Sequence, residues 1–118
     1  MGAYTRAVPT PIDFEEIRSS RTASFFEGRA HGQTVSFFIV RTPPGGGPTL
    51  HRHPYDETFV VESGTATFTV DGETLEARGG QVVPVPAGAA HKFENTGTDT
   101  LHLIGIHASD TLIQEDLD

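Results

Sequence analysis

His51 and His53 stand two residues apart, and Glu57 follows four positions later, within a stretch, residues 45–64, that reads GGGPTLHRHPYDETFVVESG. In an extended segment successive side chains alternate between faces, so both imidazoles point the same way and form a ligand pair. After Pro54 and the turn-like Tyr55 and Asp56 the alternation resumes, with Glu57, Phe59 and Val61 on one face and Thr58, Val60 and Glu62 on the other. An ionised carboxylate that shares a face with Phe and Val is costly to bury unless it is paired or bound to a metal. Taken alone, these residues leave two readings open: a metal site, or a histidine pair on an exposed strand with Glu57 capping a turn.

Composition limits the chemistry. The chain has 118 residues, enough for one domain with a real core, and no cysteine. Any metal must therefore take imidazole and oxygen ligands, which excludes a zinc finger and a thiolate nucleophile. The net charge of -8 argues against a nucleic-acid groove, which needs a basic face, and no helix-turn-helix pattern is present. There is no apolar run near the ~18 residues of a membrane span, and residues 1–10 lack the apolar core of a signal peptide. A cytoplasmic protein without nucleic-acid or membrane partners is the expectation.

The elements that must position these residues are strands. Residues 1–20 read as an N-terminal arm, extended at first and then with one helical turn over 13–18, where Asp13 is the N-cap and Phe14 and Ile17 share a side. The spacing predicts strands over 23–28, 34–42, 57–62, 65–70, 73–77, 81–86, 91–95 and 101–107, with Asp71-Gly72 as a hairpin turn. In 34–42, Val35, Phe37, Ile39 and Arg41 alternate with Ser36, Phe38, Val40 and Thr42, so both faces are rather apolar. The Pro-Pro-Gly-Gly-Gly-Pro run at 43–48 breaks the pattern, and its glycines suit close backbone approach. Short strands with turn signals about every 8–12 residues and no long helix indicate an all-β sandwich or barrel, of which the jelly roll is one solution. The barrel is expected over 21–109, followed by a solvated acidic tail over 110–118.

Two stretches together resemble the paired motifs of the cupin superfamily. The first, G-x5-H-x-H-x3-E-x6-G, fits Gly45, His51, His53, Glu57 and Gly64; the second, G-x5-P-x-G-x2-H-x3-N, fits Gly80, Pro86, Gly88, His91 and Asn95. Every fixed position is kept. The resemblance implies a single-domain jelly-roll β-barrel, the double-stranded β-helix, in which His51, His53, Glu57 and His91 converge on one divalent metal. Family members commonly hold iron, manganese, nickel, copper or zinc in this way. Three imidazoles and a carboxylate also suit mid-row transition metals on chemical grounds. His102 and His107 belong to neither motif, His102 lying on the face of Ile104 and Ile106, while His31 falls in a turn and is expected to be exposed.

Parity with Glu57 and His91 turns Phe59 and Phe93 toward the metal, and Phe37 and Arg41 complete the candidate substrate pocket. The lead-in and the tight layout resemble small quercetinase-like cupins, which implies a metal-dependent dioxygenase-type oxidoreductase on a small aromatic or apolar substrate, with Glu57 as ligand and general base. A second reading is a metal-dependent isomerase, lyase or decarboxylase on a small oxyacid, for which Arg41 is the available cation. A third is a non-catalytic small-molecule-binding module. The resemblance also implies a homodimer.

Overall fold

Buried Glu57, Phe59 and Val61 alternate with half-buried Thr58 and Val60, the burial pattern of a strand with one face on a core. The computed structural model describes residues 8–118. Its strands are β1 (Ala23–Phe26), β2 (Ser36–Thr42), β3 (His51–Arg52), β4 (Glu57–Ser63), β5 (Thr65–Val70), β6 (Glu73–Arg78), β7 (Gln81–Val85), β8 (His91–Asn95), β9 (Leu101–His107) and β10 (Glu115–Asp116). They form two five-stranded sheets, ordered β1-β2-β9-β4-β7 and β10-β3-β8-β5-β6. Every named pairing is antiparallel. This is the expected all-β jelly-roll barrel. Among the described residues, no helix is long and apolar enough to cross a membrane.

One end of the barrel is packed solid. Phe59, Val61, Phe68, Phe93, Leu101 and Leu103 fill it with their inward faces. The rings of Phe59, Phe68 and Phe93 meet pairwise at 5.0–5.7 Å between centroids, within the range of favourable edge and tilted aromatic contacts. Truncating a fully buried phenylalanine such as Phe68 in a packed core costs ~3–5 kcal/mol. The opposite end stays open and receives the histidines.

Turns fix the register. Asp71 and Gly72 have φ of 48° and 83°, both in the left-handed region, which is the turn that matches the twist of the β5–β6 hairpin. The glycine-rich loop over 43–48 is knitted to the end of β8: the Gly45 N–H donates to the Asn95 carbonyl and the Asn95 N–H to the Gly46 carbonyl, both at 2.8 Å. A Cβ on Gly47 would lie 1.9 Å from the Phe93 carbonyl oxygen, so only glycine fits there. Buried Asn95 then ties β2 to the turn before β9, donating to the carbonyls of Thr42 at 3.0 Å and Asp99 at 2.8 Å.

Both ends of the described chain are tied to the barrel, and one expectation needs correction. Residues 110–118 are mostly exposed, but they are strapped to the barrel: β10 pairs with β3, and the Leu117 N–H donates to the Leu50 carbonyl at 2.9 Å. Residues 1–7 lie outside the described part, but Phe14–Ile17 form a short 3-10 helix whose Phe14 carbonyl accepts from the buried Ser24 hydroxyl at 2.9 Å, docking it on β1. Lastly, Phe37 and Arg41 point away from the open end, on the outer face of β2. Phe37 stacks there on Phe26 at 4.8 Å, while Phe38, Val40 and Thr42 face inward. Both faces of this strand are apolar, so no polar alternation selects its parity.

Candidate metal centre

Three strands and the loop after the first deliver the ligand candidates. β3 carries His51, the residue after it but one is His53, β4 opens with Glu57, and β8 opens with His91. His51 is the register partner of His91 across β3 and β8, which brings those two rings to 4.4 Å. His53 lies 5.0 Å from His51 and 5.3 Å from His91. All four side chains are buried, and one ligand atom from each lies within 4.8 Å of the others. The chain could hold one divalent metal here.

The hydrogen bonds test that fit. The Nδ1 atoms of His51, His53 and His91 meet the carbonyls of Thr49, Ile113 and Ala89 at 2.7, 2.8 and 2.8 Å. A carbonyl only accepts, so each Nδ1 carries the proton and, in the neutral ring, each Nε2 presents a lone pair. The Nε2 atoms of His53 and His91 lie 3.2 and 3.0 Å from the same Glu57 oxygen, Oε1. Lone pairs facing a carboxylate repel unless a cation, proton or metal, sits between them. Buried His53 Nε2 also lacks a hydrogen-bond partner. The donor set fits a divalent transition metal.

Electrostatics agree with a charged carboxylate. Burial pushes the Glu57 carboxyl up, but the close contacts with His107, His53 and His91 outweigh it and hold the group well below the usual carboxylate range. Burial lowers His51. Burial also acts to lower His91, yet its contacts with Glu57 and the Ala89 carbonyl prevail and raise it. Burial pushes the Tyr55 phenol up.

A cavity of about 310 Å³ opens from this cluster. His51, Glu57, Phe59 and Phe93 line it as the sequence suggests, but Phe38 and Val40 stand where Phe37 and Arg41 were expected. Among the described residues that line it, none is Lys or Arg. Two residues beyond the motifs enter the site. His107, buried on β9 opposite Glu57, donates from Nε2 to Glu57 Oε2 at 3.1 Å, and Tyr55 lies 2.6 Å from its Nδ1. The parity of His107 with Leu101 and Leu103 on β9 was the available signal for its inward position; Tyr55, in a turn, offered none.

The sequence matches the family model described as Cupin domain over residues 38–107, more than half of the chain. The chain belongs to the cupin family. It is 36% identical over 103 residues to a Streptomyces cyaneus protein named polyketide synthase CurC, covering 81% of this chain and 67% of that protein. It is 30% identical over 93 residues to mannose-1-phosphate guanylyltransferase 2 of Escherichia coli O157:H7, covering 78% of this chain and 19% of that protein. The oxalate-binding protein of Thermotoga maritima is 27% identical over 77 residues, covering 64% of each. Among solved structures, Bacillus subtilis oxalate decarboxylase, described for its Mn(II) centres, aligns with a TM-score of 0.74 at 28% identity, over 84% of this chain and 29% of that one. The chain thus spans between 19% and 67% of the length of these three curated relatives.

Proposed function

We propose that this cupin holds one divalent transition metal on His51, His53, Glu57 and His91 and acts as a metal-dependent oxidoreductase of the dioxygenase type on a small aromatic or apolar substrate. The observation that carries the substrate class is the cavity wall: the ligand cluster meets Phe38, Val40, Phe59 and Phe93, with no Lys or Arg among the described residues that line it. A flat, weakly charged molecule fits such a wall, and a dicarboxylate does not. Similarity to a protein named polyketide synthase adds support for a carbon-rich, oxygenated substrate.

A bound metal supplies Lewis acidity and open coordination positions for an oxygen donor. The chain does the rest. Phe59 and Phe93 orient a ring against the ligand cluster and exclude water, and Phe38, 5.5 Å from His107, closes the third side. Glu57 is the candidate proton acceptor, since its carboxylate lines the cavity beside the substrate space. The test is oxygen uptake by protein loaded separately with iron, manganese, nickel, copper or zinc, against flavonols, catechols and β-diketones. Uptake with one class supports the reading, and none with any metal and substrate overturns it in favour of a binding module.

A second reading, a decarboxylase or other lyase on a small oxyacid, is favoured by the likeness to oxalate decarboxylase and to the oxalate-binding protein. Its weakness is the outward position of Arg41. Formate release from oxalate by manganese-loaded protein would establish it. A homodimer in a cytoplasmic setting belongs to the same proposal. Val82, 58% exposed, and Ile106 lie on the outer face of the β2-β9-β4-β7 sheet, away from the cavity, where a second copy would cover them. A monomer by light scattering at micromolar concentration would refute the dimer.

A further inference from the structure

His107 and Tyr55 are not among the ligand candidates, yet they are built into the cluster. Glu57 and His107 are register partners across β4 and β9 and are both buried. An ionised carboxylate only accepts, so His107 Nε2, 3.1 Å from Glu57 Oε2, carries a proton. In the neutral ring Nδ1 is then the acceptor, and the Tyr55 hydroxyl, 2.6 Å away, donates to it. The Tyr55 oxygen in turn accepts from the Ile113 N–H at 3.4 Å. These bonds run in one direction, from the Ile113 peptide to Glu57.

The two carboxylate oxygens are thereby made unequal. Oε1 faces the Nε2 atoms of His53 and His91, whereas Oε2 is engaged by His107. Tyr55 also stacks on the His53 ring, 5.0 Å between centroids at 9°, so one phenol steers two members of the cluster. Room for this arrangement comes from Gly105, where a Cβ would lie 2.5 Å from Oε2.

We propose that His107, steered by Tyr55, is a positioning residue that keeps Glu57 a one-oxygen ligand by retaining Oε2 on the protein side. This rests on the metal reading above. Its consequence is a coordination position: on an ion that took six donors, three imidazoles and one carboxylate oxygen would leave two places, and a two-oxygen carboxylate would leave one. Two places are what substrate and dioxygen need together.

The experiment uses the full chain with Co(II) as probe, measuring affinity by calorimetry and coordination by the visible absorption spectrum. His107→Leu is expected to weaken Co(II) binding about 10- to 100-fold, the usual cost of losing a partner that orients a metal ligand, and to change the spectrum. His107→Gln, whose amide can still donate to Oε2, is expected to restore the wild-type spectrum. Tyr55→Phe keeps the ring stack and loses only the donor; it is expected to shift the spectrum in the same sense, and it carries the test where His107→Leu does not fold. A wild-type spectrum in both His107→Leu and Tyr55→Phe overturns the proposal, and so does lost affinity with an unaltered spectrum, which marks a merely structural contact. Wild-type protein that binds no Co(II) overturns the metal reading itself, a result distinguishable from the others before any variant is made.

Discussion

Glu57 is a carboxylate with 4% of its surface exposed, surrounded by imidazoles and phenylalanines, and its charge state ties the site to the stability of the fold. Its carboxyl titrates below the ordinary value of 4.5 in the folded chain. The unfolded chain therefore takes up the proton first, so the stabilisation is present above about pH 4.5 and is lost as the pH falls further. Metal-free wild type is expected to lose Tm more steeply below pH 4.5 than Glu57→Gln, as followed by circular dichroism melts; parallel curves would contradict it. Gly105→Ala tests the space around the same group. The added methyl would press on Oε2 at 2.5 Å and on the Phe59 ring at 3.2 Å, and metal affinity is expected to fall at least about tenfold in titration calorimetry while the β-sheet signal persists. At this scale the sequence was informative where a polar residue broke an apolar face, as Glu57 does. It was silent on Tyr55, whose role depends on a partner 52 residues away.

Strands with one apolar face were legible as elements. β5, β8 and β9 begin and end where alternation and turn residues put them, because a period of two with one buried face specifies register strongly. β2 was legible as a strand but not in parity, since Phe37 and Ile39 are as apolar as Phe38 and Val40. β10 was not legible: Glu115 and Asp116 have no apolar pattern, and the segment is held by backbone bonds to β3, by an exposed Arg52–Glu115 ion pair at 2.8 Å and by the Asp118 carboxylate, which accepts from the Leu50 N–H at 3.3 Å. Yet the segment matters, for the Ile113 carbonyl holds His53 Nδ1, and Gln114 lines the cavity. It also lies beyond the matched domain, which stops at residue 107. Leu117→Pro removes the N–H that bonds Leu50 and should release this strap at ~1 kcal/mol, the usual net worth of one hydrogen bond. Hydrogen exchange is expected to rise over residues 110–118 and metal affinity to fall, with exchange in β4, β5 and β9 unchanged; unchanged affinity would show that the strap does not orient His53.

For the molecule as a whole, the ligand cluster joins the two sheets. His51 and His91 belong to the sheet of β3 and β8, and Glu57 belongs to the sheet of β4 and β9. An ion bound there ties the sheets together at the end that lacks packed side chains. Binding to the folded state alone stabilises by ~2.7 kcal/mol when the free metal stands at 100 times its dissociation constant. Tm is accordingly expected to climb as metal is added and to return on chelation, as read by differential scanning calorimetry; a Tm that ignores metal would contradict a site formed only in the folded chain. The same burial has a consequence in time. His51, His53, Glu57 and His91 are all at least 94% covered, yet the cavity opens from them, so an ion arrives and departs by the same mouth that admits substrate, and a molecule seated in the cavity stands in its way. A filled cavity then keeps its metal longer than an empty one at the same affinity of the four donors.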